Sequence, residues 1–170
     1  SVFRSQGSGA FSTEKYLIPG GSEGGAVRLV EIDGASGLDV VVLDSQGSSL
    51  ATFVGRGRSL KPSAKLAFPF RVQSIDVGDL DGDRSVALVA VGPDLRMFKG
   101  DGAGGFGPGI TIHAPEGGGT ALRTVDYDGD GDLDIAFTGW FAIRILKNDG
   151  YGIYSEGVSV LRDAELRFGP

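Results

Sequence analysis

Apolar residues along this chain come in short runs and never in long ones. The strongest, Val40 to Leu43 and Val86 to Val91, are of strand length and are flanked by Asp, Ser or Gly. The three-to-four-residue spacing of an amphipathic helix is not evident, so the pattern predicts many short β-strands joined by tight turns. In the clearest stretch, strands are expected at Ala121 to Val125, Ile135 to Thr138, Ala142 to Leu146 and Ile153 to Val160. No run approaches the ~18 apolar residues of a membrane-spanning helix.

The pattern also repeats. "ILKNDGYGIYS" (Ile145 to Ser155) returns as "MFKGDGAGGFG" (Met97 to Gly107) and "VFRSQGSGAFS" (Val2 to Ser12), with a weaker copy in "FVGRGRSL" (Phe53 to Leu60). Between these lie "VEIDGASGLDVVV", "VGDLDGDRSVAL" and "TVDYDGDGDLDIAF", whose first acidic residues, Glu31, Asp79 and Asp126, are 48 and 47 residues apart. Two independent features therefore share one period. A unit of about 48 residues with four short strands is the mark of a propeller blade, whereas helical solenoids of similar period would show helices. The expectation is an all-β chain of about three four-stranded antiparallel blades: a half blade at 1–23, blades at 24–70 and 71–118, and a blade with a tail at 119–170. Propellers close with about 4 to 8 blades. The expected count therefore implies either part of a larger propeller or copies that complete one another. The absence of Met at position 1 is read as a removed leader or an excised piece.

Composition sharpens this picture. Gly 30 and Pro 7 in 170 residues suit frequent turns. The net charge of -6 is largely local, because Asp126, Asp128, Asp130, Asp132 and Asp134 fall within nine positions. Lys and Arg are scattered, and their best cluster, Arg56, Arg58 and Lys61, reads as a solvated loop, so nucleic acid is not an expected partner. Without cysteine, the chain can form no disulfide, thiolate metal site or cysteine nucleophile.

In "DYDGDGDLD" carboxylates recur at loop positions 1, 3, 5, 7 and 9, with Gly131 at position 6. So many like charges in one turn call for a cation, and calcium takes 6 to 8 oxygens in flexible geometry. Asp126, Asp128, Asp130 and Asp134 are expected to offer side-chain oxygens, and Asp132 its backbone carbonyl. An EF-hand would need Glu at position 12 and flanking helices, but position 12 is Phe137 and the flanks are β-rich. The competing reading is a solvated acidic turn without metal. The second loop keeps Asp79, Asp81 and Asp83 but has Arg84 at the Gly position and Ala87 at the closing position. It is expected to be a weaker metal site, or one where a salt bridge from Arg84 replaces the ion. The first keeps Glu31, Asp33 and Asp39, with hydrogen bonds expected in place of the ion.

Asp-x-Asp-x-Asp-Gly-x-x-Asp after a short strand, followed by an Asn-Asp-Gly-x-Gly-x-aromatic-Ser turn, resembles the FG-GAP/VCBS repeat found in integrin alpha-subunit heads and many secreted bacterial proteins. The resemblance covers nearly the whole chain. It implies a calcium-clipped propeller, with the five aspartates of the third loop as the clip, in an extracellular or cell-surface setting.

Enzyme signatures are thin. His113, the single histidine, lies in a predicted outer strand and reads as a surface or edge residue. No Gly-x-Ser-x-Gly elbow occurs, and the Gly-rich stretches follow the repeat rather than forming a phosphate loop. The leading expectation is a calcium-stabilised, non-catalytic module that binds protein or glycan. Alternatives are a ring or filament subunit, a lectin-like domain, and the non-catalytic part of a larger secreted enzyme. For the lectin, Trp140 and Phe141 in a predicted turn are candidates to stack on a sugar, against packing between blades.

Overall fold

The computed structural model describes residues 2–5, 11–14, 24–57, 59–139 and 142–161. Within them the chain is all-β. A hairpin, β1 (Val2–Ser5) with β2 (Phe11–Glu14), precedes three four-stranded antiparallel sheets. The first holds β3 (Gly24–Val30), β4 (Asp39–Asp44), β5 (Ser49–Arg56) and β6 (Ser59–Ala67). The second holds β7 (Ser74–Gly78), β8 (Ala87–Val91), β9 (Leu95–Gly100) and β10 (Phe106–His113). The third holds β11 (Gly119–Val125), β12 (Asp134–Gly139), β13 (Ala142–Asn148) and β14 (Tyr154–Leu161). Each sheet is an up-and-down meander with neighbours in chain order. The four strands expected between Ala121 and Val160 are β11 to β14, the first three extended at one or both ends and the fourth shifted by one residue, from Tyr154 to Leu161. No described residue lies in a helix, and no helix is long and apolar enough to cross a membrane.

The sheets stack face to face, and the hydrophobic pattern shows why. Strand β8, "ALVAV", is apolar at every position because the second sheet is covered on both faces. Leu88, Ala90 and Ile75 pack with Val41, Leu43 and Leu50 of the first sheet. Val89, Val91 and Met97 pack with Leu122, Ile135 and Phe137 of the third. Full burial of such side chains contributes about 1.5–3 kcal/mol each, so these two layers supply most of the drive to stack. His113 sits on the edge strand of the second sheet, its ring 5.5 Å from Phe137 of the third, and so bridges the sheets.

Part of the linkage between sheets is made by backbone atoms alone. The segment entering the second sheet donates Val72 N–H to the carbonyl of Gly47, in the β4–β5 hairpin, at 2.8 Å. The segment entering the third donates Gly119 N–H to Gly92, in the β8–β9 hairpin, also at 2.8 Å. Gly47 has φ +68°, and a Cβ there would lie 2.0 Å from the Val72 carbonyl oxygen, so only glycine fits.

Candidate metal centre

All three acidic loops join the first and second strands of their sheets, and all three gather carboxylates. In the third, Asp126, Asp128 and Asp130 bring oxygens within 4.8 Å of one another on an exposed turn. The turn is shaped by its own side chains. Asp126 accepts the N–H of Gly129 at 2.8 Å and of Gly131 at 3.2 Å, and Asp130 accepts that of Asp132 at 2.9 Å. Gly131 has φ +100°, as the tight reversal requires.

The remaining two aspartates of this loop stand elsewhere. Asp134 is fully buried, and its oxygens accept the N–H groups of Tyr127 and Asn148, both at 2.9 Å. It ties the loop to β13 from beneath the cluster. The Asp132 carboxylate lies against Gly150, where a Cβ would come within 2.6 Å of it. Desolvation, then repulsion from Asp130, Asp126, Asp149 and Asp134, holds the Asp132 carboxyl above its ordinary pKa.

The same staple recurs in the first loop, where buried Asp39 accepts Ile32 N–H at 2.8 Å and Gly55 N–H at 2.7 Å. Glu31, Asp33 and Asp39 also converge within 4.8 Å, but most of their oxygens are engaged. Glu31 Oε1 accepts from Asp33 and Gly34, and Asp33 from Ala35. The second loop has Ala87 at the staple position, with Asp79, Asp81 and Asp83 likewise within 4.8 Å. Asp79 Oδ1 is buried there without a hydrogen-bond donor, a carboxylate oxygen suited to a cation, whereas the buried Asp81 Oδ2 is met by the ammonium of Lys99.

A feature that sequence reasoning missed is a cation reaching into every loop from the end of the third strand of the same sheet. Arg56 meets Asp33 at 2.5 Å, Lys99 pairs with Asp81, and Lys147 meets Asp128 at 2.7 Å. The partner is always the position-3 carboxylate. The signal was present in "MFKGDG" and "ILKNDG", where a Lys stands at the same place in both copies. Arg84, expected to supply a salt bridge as the alternative to a weaker metal site in the second loop, has no ion pair among the described residues. Its backbone N–H instead caps Asp79 at 3.0 Å, and it has φ +66°, a left-handed value at the place of Gly131.

The turns that follow the third strands also match. Asp101 accepts the N–H groups of Ala103 and Gly105, both at 2.8 Å, and Asp149 those of Tyr151 and Ile153. Asn148, buried beside this turn, donates to the carbonyls of Leu80 at 3.0 Å and Leu133 at 3.1 Å, coupling the third loop to the second. Tyr154 donates to the same Leu80 carbonyl, and burial pushes its hydroxyl pKa upward. Trp140 and Phe141, the candidate sugar-stacking pair, lie outside the described residues, as does Arg58.

At the opposite end of the sheets, a cavity of about 510 Å³ opens where the second and third meet, lined by Arg71, Gln73, Pro93, Pro115 and Thr120. It combines side-chain donors with flat apolar walls.

No protein-family model matches the chain, and no curated protein does. Among solved structures it is similar to a lectin of Agrocybe aegerita, whose structure addresses specific recognition of non-reducing terminal N-acetylglucosamine. The likeness has a TM-score of 0.65 at 18% identity and covers 94% of this chain and 46% of that one. The chain thus spans less than half the length of the lectin, with which it shares a fold.

Proposed function

We propose that the three sheets are successive blades of a β-propeller of the FG-GAP/VCBS kind, and that the module is a non-catalytic, extracellular binder of carbohydrate. The observation that carries this is the likeness in fold to a lectin along nearly the whole chain, sheet stack included. The inter-sheet cavity supports it: about 510 Å³ is ample for a sugar residue, with Gln73, Arg71 and Thr120 to meet hydroxyl or acetamido groups.

Calcium is proposed as a structural clip at Asp126, Asp128 and Asp130, with a second, weaker site at Asp79, Asp81 and Asp83. The donor set fits a hard cation, being all oxygen and closely spaced on a flexible turn. Asp132 contributes its backbone carbonyl. Asp134 acts one layer below, fixing the loop rather than offering a free oxygen.

The test is calorimetric titration with N-acetylglucosamine and with chitobiose, against glucose and galactose, on the wild type and on Gln73→Ala. The expected outcome is acetamido-dependent binding weakened at least tenfold by the substitution. Absence of binding to any of these sugars, together with a blank glycan array, would remove carbohydrate from the reading.

A further inference from the structure

The innermost strands of the three sheets are joined at equivalent positions. Arg28 on β3 donates Nε to Asp76 Oδ1 at 2.7 Å and Nη2 to the Ile75 carbonyl at 2.6 Å, both on β7. Its Nη1 turns back to the carbonyl of its own neighbour, Val27, at 3.0 Å. The other oxygen of Asp76 accepts the N–H of Thr124 on β11 at 3.0 Å. One carboxylate therefore ties three sheets together near the centre of the stack.

Arg123 occupies on β11 the place that Arg28 occupies on β3. It makes the same backward bond, Nη1 to Leu122 O at 2.8 Å, and its other donors have no partner among the described residues. Around it the outer face of the third sheet is apolar. Ala136 and Ile145 stand in its row, and Ala121, Thr138, Ile143 and Val160 in the next. Ile143 is 54% and Val160 55% exposed. The matching positions on the second sheet, Val89, Val91, Leu95 and Met97, are buried by the third. A depression of about 390 Å³ runs past Ser74, Arg123, Thr138 and Ile143.

We infer that this face is the seat of a fourth four-stranded sheet whose innermost strand carries a carboxylate at the place of Asp76, and that Arg123 takes it as Arg28 takes Asp76. The inference rests on the reading of the sheets as successive blades. Both continuity with the two existing interfaces and charge complementarity select this occupant. A second copy of the chain, docking through its own first sheet, would set Arg28 opposite Arg123. Two guanidinium groups would then face one another, and the Val27 carbonyl that Arg123 needs is already taken by Arg28.

A fourth and a fifth sheet built from this chain's own sequence provide the probe. Residues 68–161 are repeated after Leu161, so that Asp76 of the added copy follows Arg123 of the first. The extended chain should melt in one transition above the parent. Arg123→Ala in the first copy and Asp76→Ala in the added copy should each lower the midpoint, with a coupling on the order of tenfold in the folding constant. Arg123→Ala alone should leave the unextended chain unchanged. Equal effects of Arg123→Ala in both chains, or additive effects of the pair, would overturn the inference. Should the added sheets fail to fold cooperatively, hydrogen exchange decides: Ile143 to Val160 amides no better protected than in the parent also overturn it. Arg123-dependent self-association of the parent by light scattering would assign the face to a second copy instead. Sugar binding by the parent chain is a separate readout, so either reading can fail alone.

Discussion

Lys147 reaches across the mouth of the third acidic loop and holds Asp128 in a 2.7 Å ion pair. The hydrogen bond from Lys147 keeps the Asp128 carboxyl below the usual carboxylate range, and the same bond raises Lys147. The signs define a window. Because the Asp128 pKa is lowered on folding, its contribution is present above the unfolded value of about 3.9 and is lost as pH falls through the folded one. That of Lys147 is present below about 10.4 and is lost as pH rises through its raised folded value. Lys147→Gln should return the Asp128 carboxyl, followed by carbon-detected NMR, toward its ordinary midpoint. An unmoved titration would show that the pair does not persist in solution.

The ammonium also stands where a bound cation would draw on Asp128. Calcium bound as proposed would therefore compete with Lys147, and Lys147→Gln should tighten calcium binding several-fold, measured by titration calorimetry at fixed ionic strength. Weaker binding in that variant would mean that Lys147 organises the loop rather than opposing the metal.

Asp128→Ala with Asp130→Ala should abolish the calcium-dependent rise in melting temperature, which corresponds to about 2.7 kcal/mol when calcium is 100-fold above its dissociation constant. Asp134→Ala should behave differently. It strands two N–H groups beneath the loop and should cost about 3 kcal/mol, with and without calcium alike. Thermal melts of both variants in calcium and in chelator separate the roles. A calcium response retained by the Asp128 and Asp130 double variant would refute the site.

Arg84 holds a left-handed backbone conformation that costs a non-glycine residue about 1–2 kcal/mol. Arg84→Gly, which restores the residue found at the same place in the third loop, should stabilise the chain by about 1 kcal/mol in urea unfolding. A loss of stability would assign the Arg84 side chain a contact worth more than the strain.

Much of this architecture was legible because repetition amplifies weak local signals. A single "VDYDGDGDLDIAF" says strand, turn, strand; its recurrence at a fixed interval located the same turn in all three sheets. The alternation of Arg28, Val30 and Ile32 inward with Val27 and Leu29 outward likewise follows from strand period. Less legible was the division of labour among the carboxylates. Asp134 and Asp126 are identical letters, yet one is buried as a staple and the other exposed, since depth depends on the sheet that packs above. Nor could spacing show that cations from a strand more than ten residues away would enter the loops. Arg84 was the nearer base in sequence, but its backbone angle, set by the turn, fixes it as a cap of Asp79 instead.

The two bonds that fasten each sheet to its predecessor, Val72 to Gly47 and Gly119 to Gly92, join main-chain donor to main-chain acceptor. Beyond a glycine, such a joint asks nothing of the side chains flanking it. These joints can accordingly survive duplication, deletion or exchange of whole units by recombination at the gene level, so that only the side-chain contacts of a seam, such as Arg28 with Asp76, have to be matched anew. The units themselves are then free to diverge, one keeping five aspartates and its neighbour trading a carboxylate for Ala87, while the architecture is inherited intact.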